Sequence, residues 1–178
     1  MLRKLDTDRH GAVFGLAGWS GSGKTTLVEK LVARFVELGY DIATVKHAHH
    51  HFEADTPGKD SFRHRQAGSR QVLVSSVQRS ALFTEHATNA EPNLPDLLCQ
   101  LAPADLVLVE GFKKYPIEKI EIFRSSIGKP SLYPQDDLVI AVASDTKLED
   151  CPLPVFDLSD IAAIADFIIV KTKLKQAC

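Results

Sequence analysis

A glycine-rich segment near the start of the chain has the residue types that bind nucleotide phosphates. It runs Gly18-Trp19-Ser20-Gly21-Ser22-Gly23-Lys24-Thr25 and matches the pattern G-x-x-x-x-G-K-[ST] at every position. The glycines let the backbone curl so that its N–H groups face phosphate oxygens. Lys24 can reach the β- and γ-phosphates, and the Thr25 hydroxyl can ligate Mg²⁺. The sequence therefore predicts a site for a nucleoside triphosphate with Mg²⁺.

The elements on either side of this loop support the prediction. Residues 12–17 are apolar and are predicted to form a buried strand that leads into the loop. The segment after the loop has apolar residues at helical spacing and ends at Gly39. These residues are Leu27, Val28, Leu31, Val32, Phe35 and Leu38. Because a helix N-terminus presents unpaired amides and the positive end of its dipole, strand, loop and helix together form an anion site.

A second carboxylate is expected to hold Mg²⁺ or its water. Residues 105–109 are predicted to form a strand that is buried on both faces, and Glu110 lies at its C-terminal end beside Gly111. Strands of a parallel sheet deliver their C-terminal ends to the ligand, so Glu110 is the predicted metal ligand and a candidate catalytic residue, as is Lys24. Asp105 opens the same strand and is predicted to be a surface acid at the opposite edge.

The histidine-rich loop after the second predicted strand has several interpretations. The strand covers 41–45, and residues 46–55 follow it with the cluster His47–His51. The imidazoles and acids can bind a transition metal, contact phosphate or an anionic substrate, or form a solvated loop. Lys46 and His47 are closest to the strand end and are the predicted nucleotide contacts.

Further polar residues follow in a turn and a short predicted helix over 59–67. Pro57-Gly58 predicts the turn, and the helix after it offers a second N-terminus to the same edge of the sheet. Asp55 or Asp60 can orient water or Mg²⁺, which makes Asp55 a third candidate catalytic residue. Gly58 and Lys59 are predicted nucleotide contacts. The alternative is a capped amphipathic helix with a solvated basic face.

Three more residues are candidates for nucleotide contacts. Gln78 and Arg79 follow a predicted strand over 71–75 and precede its predicted hairpin partner over 80–84. Asp145 follows an apolar strand over 138–143, where a carboxylate can accept hydrogen bonds from guanine N1–H and its exocyclic amine. The full N-K-x-D signature of guanine readers is absent from the sequence.

Composition excludes several classes of protein. The chain has 178 residues, of which 44% are hydrophobic and 25% are charged, as expected of one globular α/β domain. The net charge of −2 gives no reason to expect nucleic acid or a membrane as partner. No apolar run approaches a membrane span, and residues 1–10 lack the apolar centre of a secretory signal. The three cysteines are widely spaced and are predicted to be reduced thiols of a cytoplasmic protein.

Alternating strands and helices predict the fold. We expect a phosphate-loop (P-loop) NTPase fold, with a mainly parallel sheet flanked by helices. Some antiparallel β-structure is expected over 71–84 and 117–124. A last helix, capped by Ser159, is expected to run to about residue 173. We predict a single nucleotide-binding domain over 1–178, with an ordered core over 10–175.

The motifs together resemble the MobB family, the accessory proteins of molybdopterin-guanine dinucleotide biosynthesis. The resemblance covers roughly residues 12–170. Besides the loop extended to Thr26, it depends on Val45-Lys46-His47-Ala48-His49-His50, Asp55-Thr56-Pro57-Gly58-Lys59-Asp60-Ser61, Val109-Glu110-Gly111-Phe112-Lys113 and Ala141-Val142-Ala143-Ser144-Asp145. One departure is His51, since the family often has an acid after the histidine pair.

The resemblance implies a dimeric, Mg²⁺-dependent GTP-binding protein with slow hydrolysis. It implies an adapter that assists the nucleotidyltransferase joining GMP to molybdopterin, with molybdopterin or its guanine dinucleotide as a further partner. By position, residues 21–26 would hold the phosphates, Thr25 and Glu110 would serve Mg²⁺, and residues 46–60 would line the cleft. Two alternatives remain: a small-molecule kinase, and a metal-delivery GTPase that uses His47–His51.

Overall fold

The computed structural model describes residues 5, 7–48, 53–86 and 92–175. The chain divides into two compact units. The first contains Met1–His47 and Leu94–Cys178, and the second contains Ala48–Asn93. The single nucleotide-binding domain over 1–178 stays a prediction.

The first unit is built on a six-stranded sheet in which every pair of neighbouring strands is parallel. The strand order is β2-β5-β1-β6-β7-β8. The strands are β1 Ala12–Ala17, β2 Ile42–Lys46, β5 Leu106–Glu110, β6 Lys119–Phe123, β7 Val139–Ser144 and β8 Val155–Asp157. The helices of this unit are α1 Thr7–His10, α2 Lys24–Glu37, α4 Leu94–Leu98 and α5 Ile161–Thr172.

Both faces of this sheet are covered, which explains its continuous apolar strands. Alternate residues of β5 point to opposite faces, so Leu106 and Leu108 join one buried cluster while Val107 and Val109 join another. The first cluster includes Leu31 and Phe35 of α2 and Ile164 and Ile168 of α5. The second includes Leu94 and Leu98 of α4. Within this covered sheet, β1 and β5 pair directly, and each has a further strand on its other side.

The prediction of antiparallel structure over 117–124 was wrong. β6 is a parallel strand between β1 and β7, although its polar and apolar residues alternate. Its polar side chains are buried and have polar partners. The ammonium of Lys119 lies 2.9 Å from an Asp136 carboxylate oxygen, and the Glu121 carboxylate accepts the N–H groups of Leu132 and Tyr133. Burial raises the pKa of Glu121, while these N–H donors oppose the rise.

The predicted cap of the last helix was displaced by one residue. Asp160, not Ser159, is the N-cap of α5, because its carboxylate accepts the N–H of Ala163 at 3.0 Å. The Ser159 hydroxyl donates instead to Asp157. An aspartate at this position also places a negative charge at the positive end of the helix dipole.

The second unit contains helix α3, Asp60–Gln66, and a hairpin of β3, Gln71–Ser75, with β4, Ser80–Thr84. The two strands are antiparallel, as predicted for 71–84. The Arg65 guanidinium binds both Glu53 carboxylate oxygens at 3.0 and 2.8 Å and lies 3.1 Å from Glu85. These contacts connect α3 to the segments on either side of it.

Within the described part of the chain, no helix is long and apolar enough to cross a membrane.

Candidate functional site

The loop between β1 and α2 has the curled backbone that its glycines predict. Gly18 has φ 153°, and a Cβ there would lie 2.6 Å from the Ile122 carbonyl oxygen, so a larger residue would collide with β6. Gly23 is the N-cap of α2, which therefore begins at Lys24. The Ser22 hydroxyl is buried without a hydrogen-bond partner among the described residues. The loop thus places the N-terminus of a 14-residue helix beside a buried polar group.

Lys24 is the first residue of α2, and its side chain contacts this loop. Its ammonium donates to the carbonyl oxygens of Gly18 at 3.0 Å and Trp19 at 2.8 Å. Burial lowers the pKa of Lys24, the ammonium groups of Lys113 and Lys46 lower it further, and the Glu110 carboxylate opposes the shift. The backbone of the loop therefore positions the Lys24 side chain, and the charges of Lys113, Lys46 and Glu110 act on its pKa.

The two predicted Mg²⁺ residues lie together. The Thr25 hydroxyl donates to Glu110 Oε1 at 2.9 Å, and β5 carries this carboxylate to the edge where β1 ends. Lys46, at the end of β2, lies 3.5 Å from Glu110 Oε2 and 3.1 Å from the Thr25 hydroxyl oxygen. A hydroxyl and a carboxylate beside a phosphate loop are hard oxygen donors of the kind that Mg²⁺ prefers. The donor set therefore fits Mg²⁺.

His47 is fixed beside this pair through the backbone. Its N–H donates to the Glu110 carbonyl oxygen at 2.9 Å, and its ring centroid lies 4.9 Å from that of Phe112. Gly111 has φ 94°, and a Cβ there would lie 2.7 Å from the His47 Cβ. Glycine at 111 therefore allows the ends of β2 and β5 to approach, which brings the predicted contacts Lys46 and His47 next to Glu110.

Asp145 is connected to the loop by an arginine that the sequence analysis did not single out. Its carboxylate accepts the Ser125 N–H at 3.1 Å and lies 3.7 Å from the Arg124 guanidinium. Arg124 in turn donates from Nε to the Ser22 carbonyl oxygen at 2.9 Å. Arg124 directly follows β6, and β6 pairs with β1, which leads into the phosphate loop. The contact between Arg124 and the loop can therefore be predicted only when the strand order is known.

Trp19 and Lys113 form a second contact that the sequence analysis left without a role. The Trp19 indole N–H donates to the Pro130 carbonyl oxygen at 2.8 Å. The Lys113 ammonium lies over the same ring, 4.4 Å from its centroid. Lys113 was part of the segment that follows Glu110, yet nothing in that segment alone showed which aromatic ring it meets.

The remaining predicted residues belong to the second unit. Asp55 accepts hydrogen bonds from the Thr56 N–H at 2.9 Å and from the Ser61 hydroxyl at 2.8 Å. Gly58 and Lys59 form the turn before α3, and Gln78 and Arg79 lie in the β3–β4 connection, where their N–H groups meet the Ser76 hydroxyl. Their contacts with a nucleotide stay predictions.

The metal interpretation of the histidine loop depends on residues that the structure does not cover. His49, His50 and His51 lie outside the described residues. Among the residues that are described, no group of three or more histidine, cysteine, aspartate or glutamate side chains is arranged to hold a metal ion.

The chain has relatives among proteins of known role. Residues 13–145 match the family model of molybdopterin guanine dinucleotide synthesis protein B, MobB. The molybdopterin-guanine dinucleotide biosynthesis adapter protein of Escherichia coli is 41% identical over 160 residues, which cover 88% of this chain and 91% of that protein. The adapter protein of the same name from Haemophilus influenzae is 42% identical over 159 residues, covering 88% and 86% respectively.

Solved structures show the same fold. The crystal structure of Bacillus subtilis MobB has a TM-score of 0.69 and 27% identity, and the match covers 92% of this chain and 98% of that one. A MobB homologue from Bacillus stearothermophilus matches with a TM-score of 0.65 and 27% identity, covering 92% and 99%. The predicted P-loop NTPase-like fold, a mainly parallel sheet with a small antiparallel addition, is confirmed.

Proposed function

This chain belongs to the family of molybdopterin guanine dinucleotide synthesis protein B, and we propose that it is a GTP-binding adapter in that biosynthesis. The relatives from Escherichia coli and Haemophilus influenzae carry the adapter role in their names. The proposal adds that the chain binds GTP with Mg²⁺ and hydrolyses it slowly. The observation that carries this addition is the hydrogen bond between Thr25 and Glu110 beside the phosphate loop.

The contacts of Glu110 support binding with slow hydrolysis. Its carboxylate is 11% exposed and is engaged by the Thr25 hydroxyl and the Lys46 ammonium. A carboxylate held in this way suits metal ligation, whereas a general base must reach the attacking water. Lys24 stabilises phosphate charge, and the third candidate, Asp55, is engaged by Ser61 within the second unit. Mg²⁺ at Thr25 and Glu110 would draw charge from the β- and γ-phosphates.

Asp145 is the proposed source of guanine preference. Arg124 and the Ser125 N–H hold its carboxylate at the end of β7, at the edge of the sheet where the phosphate loop lies. We expect the unmodified protein to bind GTP more tightly than ATP, because guanine offers N–H donors that adenine does not. Replacing Asp145 with asparagine should lower the ratio of GTP to ATP affinity by about tenfold, since one charge-assisted hydrogen-bond pair is lost.

Calorimetric titration of both nucleotides in Mg²⁺ measures this ratio. Asp150→Asn, which changes an exposed acid further along the same connection, is the matched control and should leave the ratio unchanged. Equal affinities of the unmodified protein for GTP and ATP would overturn the guanine assignment.

A homodimer is the proposed oligomeric state. The β3–β4 hairpin exposes several large apolar side chains, which is a surface that association would cover. They are Leu73, Val74, Val77 and Leu82. A two-stranded hairpin is only marginally stable without additional packing, so a second copy would stabilise it.

Light scattering after size-exclusion chromatography tests the dimer and the adapter role together. The chain alone should have twice the mass of one chain, and Leu73→Glu should reduce it toward the monomer, whereas Val36→Glu on α2 should not. With GTP and Mg²⁺, the dimer should co-elute with the nucleotidyltransferase that joins GMP to molybdopterin. A monomeric parent would contradict the dimer, and separate elution under every condition would contradict the adapter role.

A further inference from the structure

We propose that Lys113 binds the terminal phosphate of the nucleotide and that Trp19 holds its ammonium at the phosphate loop. The proposal rests on the proposed triphosphate function and extends it with a residue to which no role has been given. It is carried by three sets of contacts within the first unit: those of the turn after β5, of the buried Lys119, and of the Trp19 ring.

The turn after β5 directs the chain from Glu110 to Lys113. Gly111 and Phe112 have φ values of 94° and 48°, a left-handed conformation that ends the strand after Glu110. The Tyr115 N–H donates to the Phe112 carbonyl oxygen at 2.8 Å and closes the turn. Lys113 therefore follows the proposed metal ligand by three residues, at the edge of the sheet where the phosphate loop lies.

The buried side chain of Lys119 holds this turn by hydrogen bonds to its backbone. It is 2% exposed, and its ammonium donates to the carbonyl oxygens of Lys113 and Tyr115, each at 3.2 Å, and to Asp136 at 2.9 Å. A buried ammonium must be paired and fully hydrogen-bonded, so these three acceptors specify where the turn lies. The hydrogen bond from the buried Lys119 therefore fixes the position of the Lys113 backbone, from which the Lys113 side chain extends.

Trp19 fixes the other end of the Lys113 side chain. Its indole N–H bonds Pro130, its carbonyl oxygen accepts from Lys24 at 2.8 Å, and its ring lies 4.4 Å from the Lys113 ammonium. No described carboxylate is ion-paired with Lys113, although the charge of Lys113 opposes the rise in the pKa of the buried Glu121. A cation held by an aromatic face, without a carboxylate in direct contact, can bind an anionic ligand.

The position of Lys113 indicates which phosphate it contacts. Thr25 and Glu110 would hold Mg²⁺, which would neutralise charge on the β- and γ-phosphates, so these two residues mark that end of the phosphate chain. Lys113 follows Glu110 in the same connection, and its charge acts on Lys24, whose pKa it helps to lower. A charge-assisted contact to the γ-phosphate strengthens binding of a triphosphate and leaves a diphosphate almost unaffected.

The test compares GTP and GDP in calorimetric titrations with Mg²⁺. Lys113→Met removes the charge and retains an unbranched side chain that packs on Trp19, and Lys113→Arg restores a cation. Lys129→Met is the matched control, because the exposed Lys129 ammonium lies 5.9 Å from the same ring. We expect Lys113→Met to weaken GTP binding about tenfold and GDP binding less than about twofold, with Lys113→Arg close to the parent.

The outcomes separate this proposal from the function it rests on. A parent that binds no triphosphate overturns both. If the parent and Lys113→Met bind GTP equally well, the role of Lys113 alone is overturned. The same holds if Lys113→Met loses affinity for GTP and GDP equally, because such a loss indicates a structural effect. Because Trp19 is the single tryptophan of the chain, its fluorescence provides a second readout: GTP should change the emission of the parent more than that of Lys113→Met.

Discussion

Replacing Lys24 with alanine is expected to abolish measurable GTP binding. The ammonium holds the carbonyl oxygens of Gly18 and Trp19 and is the residue that the loop pattern assigns to the β- and γ-phosphates. The substitution therefore removes a cation from the phosphates and two hydrogen bonds from the loop. Each charge-assisted hydrogen bond contributes about 1.5–3 kcal/mol, so a loss of about 100-fold or more in affinity is expected.

Lys30→Ala is the control for this substitution. Lys30 is an exposed lysine of the same helix, so its removal changes the net charge equally without touching the loop. Calorimetry should show parent-like GTP affinity for Lys30→Ala and no saturable binding for Lys24→Ala, with both variants folded at the temperature of the titration. Parent-like binding by Lys24→Ala would contradict the assignment of the loop as the phosphate site.

Replacing Glu110 with glutamine is expected to remove the dependence of GTP binding on Mg²⁺. The amide oxygen can still accept from the Thr25 hydroxyl, so the packing at the end of β5 is retained, but the negative charge that a cation requires is gone. Loss of a group that orients or ligates a bound metal costs about 10–100-fold in metal affinity. Titrations of GTP with Mg²⁺ and with a chelator should therefore give similar affinities for the variant and different ones for the parent.

Asp105 provides the matched control on the same strand. It precedes β5, is exposed, and accepts the Asp41 N–H at 2.8 Å at the opposite edge of the sheet. Asp105→Asn should keep the full effect of Mg²⁺, because the edge of a parallel sheet where ligands bind is the C-terminal one. If Glu110→Gln retained the Mg²⁺ effect, the metal would be held by other residues.

The central part of the fold and site could be predicted because its signals are local. The apolar strands β1 and β5, the period of α2 and the glycine loop each lie within a short window, and the parallel-sheet rule then brings Thr25 and Glu110 to one edge. The structure confirms that geometry at 2.9 Å. The hairpin over 71–84 was predictable for the same reason, since its two strands are adjacent in the chain.

The parts that were missed depend on contacts distant in sequence. β6 alternates like a half-exposed strand, but Lys119 and Glu121 are buried because Asp136 and the backbone of residues 132–133 satisfy them. Lys113 and Arg124 reach the phosphate loop only because β5 and β6 lie on either side of β1. No local pattern contains this strand order, so neither cation was recognisable from its neighbours.

The most direct test of the account is a calorimetric titration of the unmodified protein with GTP, in Mg²⁺ and in a chelator, with ATP as the competing nucleotide. The predicted result is saturable GTP binding with an affinity that Mg²⁺ increases. ATP at equal concentration should not displace GTP from the site. Absence of saturable GTP binding in Mg²⁺ would contradict the claim that the loop at residues 18–25 and the Thr25–Glu110 pair form a GTP site.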